Sequence, residues 1–288
     1  MNDRIDMVSP TDLAQLDHIL AKLQKPPTFV AGATDIMIQK SRWEEARTLV
    51  NLGTVRELVN TLKIGHEGVL VGASLPLTDI IRHRIIRERL PILVESCRQI
   101  GSVQIQNRAT LGGNIANASP AGDTLPVLAV LNAELWIGPR SKDNFTKMSV
   151  DELMVGPGKT CLQQNQYIAY IYLPFPEPPD PYWYFRKVGQ RYSMAISKLS
   201  LAVLGWKQGK YIQEIRVCAG SVSPQIKRAA LTEKLLYKRE LNSDVIEKAA
   251  GQLIKEIKPI TDIRSTSSYR KSTVGRLLQE ALAAWTEA

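Results

Sequence analysis

The chain has 288 residues, 44% of them hydrophobic and 23% charged, a balance that excludes a fibre or a disordered tract. At this length roughly 75% of the unfolded surface can be buried, and two compact domains are expected rather than one. The formal charge of +9 reads first as solvated surface, because Lys and Arg are scattered, but it also admits an anionic cofactor, an acidic partner subunit or nucleic acid.

The first expected element is a helix capped by Ser9, with Pro10 in its first turn and Asp12 three residues after the cap. Leu13, Leu16, Ile19, Leu20 and Leu23 follow as one apolar stripe, and Pro26-Pro27 stops it. Phe29-Val30-Ala31 reads as a short buried strand that breaks at Gly32 and passes into a short helix over 36–40. Residues 49–52 read as a second strand. From Thr61 the period changes: Leu62, Ile64, Val69 and Val71 alternate around Gly65-His66-Glu67-Gly68, the pattern of a β-hairpin. Helices are expected after Leu75-Pro76, carrying Ile80 and Ile81, and from Pro91, with Ile92, Leu93, Cys97 and Ile100 on one face. The basic stretch from Arg82 to Arg89 also carries Glu88 and reads as an exposed helix face. A Gly-rich turn then leads to an apolar helix over 125–131 and a strand over 134–137.

Residues 168–173 form a further expected strand, ending in five prolines among the eight residues 174–181, the clearest boundary in the chain. Beyond it, 183–186, 200–206 and 212–219 alternate like antiparallel strands, with Gln208-Gly209 turning between the last two. Helices over 245–257 and 273–285 close the chain.

Two segments carry chemistry. In Phe29-Val30-Ala31-Gly32-Ala33-Thr34-Asp35-Ile36, a strand breaking at glycine before a helix gathers backbone N–H groups into a nest that suits a pyrophosphate. A purely structural strand–glycine–helix turn has the same pattern. In the segment 110–123, Gly112-Gly113 implies a sharp turn, and Thr110, Asn114, Asn117, Ser119 and Asp123 crowd five polar side chains between apolar helices. Buried polar groups need partners, supplied by the loop itself or by a ligand.

The negative findings narrow the chemistry. No GxGxxG fingerprint, phosphate-loop lysine motif or GxSxG elbow occurs. Cys97, Cys161 and Cys218 stand far apart, offer no metal set, and read as small hydrophobes in a reduced compartment. His18, His66 and His83 lack metal spacing and read as exposed, and the five tryptophans as scattered packing anchors. No stretch resembles a secretory signal or a membrane span, so a cytoplasmic protein is expected.

Val30-Ala31-Gly32-Ala33-Thr34-Asp35, followed about eighty residues later by the 109–123 segment, resembles the FAD-binding medium subunit of the molybdenum hydroxylases, the xanthine dehydrogenase and carbon monoxide dehydrogenase family. The likeness spans nearly the whole chain. It implies an α+β fold, a two-lobed FAD clamp of the vanillyl-alcohol-oxidase/PCMH type (lobes 1–57 and 58–175), a linker at 176–181, and a C-terminal domain at 182–288 of three antiparallel strands plus helices. By the resemblance, 29–36 would wrap the diphosphate. Thr110, Gly112, Gly113 and Asn114 would approach it from the other lobe, and Ile100, Asn117, Ser119, Asp123 and Lys187 would complete the site. Tyr192 is a candidate gate at the flavin face, and Lys198 a second basic contact; plain packing is the competing reading of both. The family's usual Gly-Gly is Gly32-Ala33 here, tolerable for tight wrapping if φ at Ala33 is negative.

The likeness also implies an electron-transfer subunit, inactive on substrate alone. It would take electrons from a 2Fe-2S small subunit and a molybdopterin large subunit, in a dimer of heterotrimers, and pass them to NAD+, quinone or oxygen. The additional cluster that some relatives hold on four cysteines is not expected with only three. A self-contained FAD reductase or oxidase of the same clamp fold, and a cofactor-free nucleic-acid-binding protein, are the alternatives.

Overall fold

A computed structural model describes residues 5–39, 48–141, 144–191 and 194–287. The chain opens with a small parallel sheet of β1 (Asp6–Val8), β2 (Thr28–Val30) and β3 (Thr48–Asn51), in the order β1-β3-β2. The helix Leu13–Lys22 joins β1 to β2. Its Leu13, Leu16 and Leu20 are buried with Val50, Leu52, Val55 and Leu58, while Ile19 and Leu23 are half-buried. Each fully buried leucine contributes about 1.5–3 kcal/mol.

This helix starts later than the Ser9 cap implies. Residues 6–8 are drawn into the sheet by β3, and Thr54 Oγ1 donates to the Pro10 carbonyl at 2.8 Å, so the chain turns helical only at Leu13. Asp12 is the cap, its Oδ1 accepting from Gln15 N at 2.8 Å. Instead of a helix over 36–40, a single 3-10 turn spans Ile36–Ile38, and Lys40 lies outside the described residues.

A five-stranded antiparallel sheet follows: β4 (Leu62–Ile64), β5 (Gly68–Gly72), β6 (Glu134–Ser141), β7 (Asn144–Ser149) and β10 (Tyr167–Pro174), ordered β4-β5-β10-β6-β7. The short pair β8 (Met154–Gly156) and β9 (Lys159–Thr160) lies between β7 and β10 in sequence. The helices Leu77–Arg82, Arg84–Arg89, Pro91–Arg98, Val103–Gln106, Leu111–Ala116 and Leu125–Val130 come between β5 and β6 and bury their apolar faces in the main core with Val69, Val71, Leu135 and Ile171. On the sheet's other side, Tyr167, Ala169 and Tyr170 of β10 join Leu13, Leu16 and Leu20. Tyr167 Oη donates to Asp17 Oδ1 at 2.8 Å, tying that helix to the larger sheet.

The third sheet is antiparallel, with β11 (Tyr182–Val188), β12 (Leu199–Gln208) and β13 (Tyr211–Gly220) in chain order. Gly209 turns between the last two at φ +59°. Leu199, Leu201 and Val203 face the helices Ser243–Glu256 and Ser267–Glu287, whereas Ala202, Leu204 and Trp206 face the main core. The helix Ala230–Leu236, which had no clear sequence signal, packs on β13. Two smaller expectations are also corrected. Cys161 is exposed rather than a packed hydrophobe, and His83 is half-buried with Nδ1 shielded and unpartnered. Trp43 lies outside the described residues.

Candidate cofactor site

A cavity of about 560 Å³ opens between the turn after β2 and the segments that follow β5. One wall is Phe29, Val30, Ala31, Gly32, Ala33, Thr34, Asp35 and Ile36, preceded by Pro27 and Thr28. The other is Thr110, Gly113, Asn114, Ala116 and Asn117, with Leu77, Ile100, Ile105 and Ala109. Two segments some eighty residues apart are thus brought face to face.

The walls meet at Gly32. A Cβ there would overlap the Arg108 carbonyl oxygen, so only glycine permits this approach. The next residue answers the condition placed on Gly32-Ala33: Ala33 has φ +64°, in the left-handed region, so its methyl group carries strain. Asp35 Oδ2 accepts from Gln39 Nε2 at 2.7 Å.

Gly112-Gly113 does not form the expected sharp turn. Both lie inside the helix Leu111–Ala116, whose cap is Thr110, Oγ1 accepting from Gly113 N at 2.9 Å. Two glycines disfavour a helix by about 1 kcal/mol each relative to alanine; the cap and the burial of Leu111 and Ile115 oppose that cost. The pair divides its work. Gly112 is buried against Ala73, where a Cβ would collide with the carbonyl, and Gly113 faces the cavity. Asn114 Oδ1 accepts from Thr124 Oγ1 at 2.6 Å.

Ser119, Asp123, Lys187 and Lys198 do not line the cavity. Ser119 Oγ accepts from Ala121 N at 3.2 Å, closing its own turn. Lys187 on β11 donates to Asp123 Oδ2 at 2.7 Å and to the Gln99 carbonyl at 2.8 Å. Both side chains of this pair are more than nine-tenths buried, and Gln99, which accepts from Lys187, directly precedes Ile100 of the wall. Burial, partly opposed by the Lys187 charge, pushes the Asp123 carboxyl up to about 6, and its Oδ1 has no partner. The Lys198 ammonium sits 5.7 Å from the Tyr269 ring centroid. Tyr192 lies outside the described residues.

Among the described lining residues, Asp35 is the single titratable side chain; there is no His, Cys, Lys or Arg. Such a surface offers threonine hydroxyls and one carboxylate but no acid–base pair. It can hold a ligand by main chain, hydroxyl and amide groups, with apolar contacts from Leu77, Ile100 and Ile105. Sequence reasoning missed Leu77, Ile105, Ala109 and Ala116, which carry no signal separating them from core residues.

Comparison with known proteins matches residues 3–176 to the family described as the FAD binding domain in molybdopterin dehydrogenase, and residues 183–285 to the CO dehydrogenase flavoprotein C-terminal domain. The chain is 29% identical over 255 residues to the glyceraldehyde dehydrogenase medium chain of Sulfolobus acidocaldarius, covering 88% of each. It is 25% identical over 286 residues to the carbon monoxide dehydrogenase medium chain of Hydrogenophaga pseudoflava, covering 98% of this chain and 97% of that one. Its fold superposes on a chain of the solved carbon monoxide dehydrogenase from Hydrogenophaga pseudoflava with a TM-score of 0.90 at 24% identity, covering 98% and 96% of the two chains.

Proposed function

The chain belongs to the FAD-binding subunits of the molybdopterin dehydrogenases, the molybdenum hydroxylase family, and from that premise we propose that it is the electron-relay subunit of a multi-chain oxidoreductase. The residues present fit FAD. Small residues at Ala33, Ala109 and Gly113 let a diphosphate approach main chain on both walls, Thr34, Thr110, Asn114 and Asn117 offer polar contacts, and the side chains of Leu77, Ile100 and Ile105 suit a flat ring. When bound, FAD supplies the exchange between two-electron and one-electron transfer.

The chain's own part is to bind, orient and shield. Phe29–Ile36 and Thr110–Asn117 would grip the cofactor, Ile100 and Ile105 would exclude water, and Lys187 would hold Asp123 and Gln99 behind that wall. The observation that carries this reading is the cavity between the two segments, whose lining among the described residues has one titratable side chain and so suits a bound cofactor that brings its own chemistry. We assign the 2Fe-2S clusters and the molybdopterin to small and large partner chains, in a dimer of heterotrimers, with NAD+, quinone or oxygen as final acceptor. The name "medium chain" of both relatives supports a place in such an assembly.

An absorption spectrum of the purified chain, with and without added FAD and then dithionite, tests the reading. Flavin bands near one per chain that bleach on reduction are expected. No flavin and no uptake would sink it, and steady turnover of a substrate by the chain alone would favour a self-contained flavoenzyme.

A further inference from the structure

Arg270, on the helix Ser267–Glu287, is 4% exposed. Its Nη1 donates to the Ser221 carbonyl at 2.7 Å, its Nη2 to Asp262 Oδ1 at 2.7 Å, and its Nε is buried without a partner. Burying a cation is costly, and packing alone is served better by an apolar side chain, so its contacts define its role.

Ser221 follows β13 with its backbone in the left-handed region, φ +59°. In that conformation its N–H donates to the Pro120 carbonyl at 2.8 Å while its own carbonyl accepts from Arg270. Its hydroxyl lies 3.4 Å from the Ser197 carbonyl and 3.5 Å from that of Pro120. Pro120 sits in the middle of 117–124. That segment begins at Asn117, in the cavity wall, and ends at Thr124, which donates to Asn114 in the same wall. A displacement at Pro120 therefore reaches two cofactor-facing residues.

We propose that Arg270 is a positioning residue for the cofactor cavity: through Ser221 it holds the Pro120 carbonyl, and so the shape of 117–124 that places Asn114 and Asn117. The proposal rests on the FAD reading above. Arg270 itself touches nothing in the cavity, and it acts across β13 from the C-terminal helices.

The test compares Arg270→Met, Ser221→Gly and the double variant by hydrogen exchange of the 117–124 amides in the flavin-free chain and by FAD titration. Arg270→Met should speed that exchange and weaken FAD binding at least about tenfold each, with smaller changes in the helix Ser243–Glu256. Glycine adopts positive φ without side-chain strain, so adding Ser221→Gly should restore much of both. Wild-type exchange and affinity in Arg270→Met would overturn the proposal. So would a loss spread evenly through the C-terminal helices and not relieved by Ser221→Gly, which marks a residue of general stability. Where Met prevents folding, Arg270→Gln is read by the same criteria. A wild-type chain that takes up no FAD defeats the cofactor reading, while exchange at 117–124 separately decides the positioning role.

Discussion

Ala33 holds a φ of +64° at the point where the two walls of the cavity come together. An alanine in this region costs roughly 1–2 kcal/mol, against roughly 0.5–1 kcal/mol for the extra chain entropy of glycine. Ala33→Gly is therefore expected to leave stability unchanged or raise it by about 1 kcal/mol in denaturant titration; a clear loss would show that the turn does not need this conformation. Gly113 is the opposite case. The nearest group to an added Cβ is Thr110 Oγ1 at 3.0 Å, so a side chain pointing into the cavity asks that capping hydroxyl to give by a few tenths of an ångström, a strain opposed by the better helix propensity of any residue that replaces this glycine. Gly113→Arg should abolish FAD uptake while thermal unfolding shifts little; retained flavin would remove this glycine from the site. The Asp123–Lys187 pair sets a pH dependence. With the Asp123 carboxyl raised from 3.8 to about 6, the folded chain binds more protons than the unfolded one between those values, so this group's contribution falls as pH rises through about 6. Lys187→Met leaves the carboxylate without its cation. Its cost should be about 3–5 kcal/mol at pH 8 and much smaller at pH 5, read from denaturant midpoints at the two values.

At the scale of the element, the short helix Leu111–Ala116 shows why the cofactor loop was readable as a site but not as a shape. Its glycine pair argues against a helix, and what overrides the propensity is the Thr110 cap together with the close approach of Gly112 to Ala73, a residue nearly forty positions earlier. Thr110→Ala should cost about 1 kcal/mol of stability and also weaken FAD, because the cap and the cavity wall are the same residue. A stability loss with unchanged FAD affinity would separate the two roles. Strand β12 was legible for a simpler reason. Its apolar residues located it, but as an alternating strand; Leu199 to Trp206 are instead buried without a break, because the sheet is covered on both faces. The helix over 9–23 was located but entered three residues early, since pairing of 6–8 with a strand forty residues later leaves no local trace.

Across the whole molecule, the C-terminal sheet is part of the main core. Phe185, Ala202, Leu204, Trp206 and Cys218 are buried in the same cluster as Val69, Leu111 and Leu125, and Trp206 Nε1 donates to the Pro178 carbonyl at 2.7 Å. The proline segment therefore marks a change of direction with packing on both sides. A fragment of residues 1–176 should expose this surface and aggregate or elute as a heterogeneous species in size exclusion. A monodisperse fragment that binds FAD would show that the N-terminal part needs no cover. Among the described residues no helix is long and apolar enough to cross a membrane.

The helix over 13–22, the hairpin at 62–71, the three C-terminal strands with the two helices that close the chain, and the two segments that meet across the cavity were legible in the sequence itself. Each rests on local physics: periodicity of apolar residues, glycine and proline at turns, polar residues crowded where burial is expected. The tertiary structure alone decided which face each loop presents. Gly112 packs while Gly113 opens the cavity, Asp123 and Lys187 pair behind the wall, and Leu77 and Ile105 line it. It also joined Arg270 to Pro120 through Ser221. These are contacts between segments distant in the chain, and a side chain's neighbours across such distances depend on how layers pack, which no short window of sequence encodes.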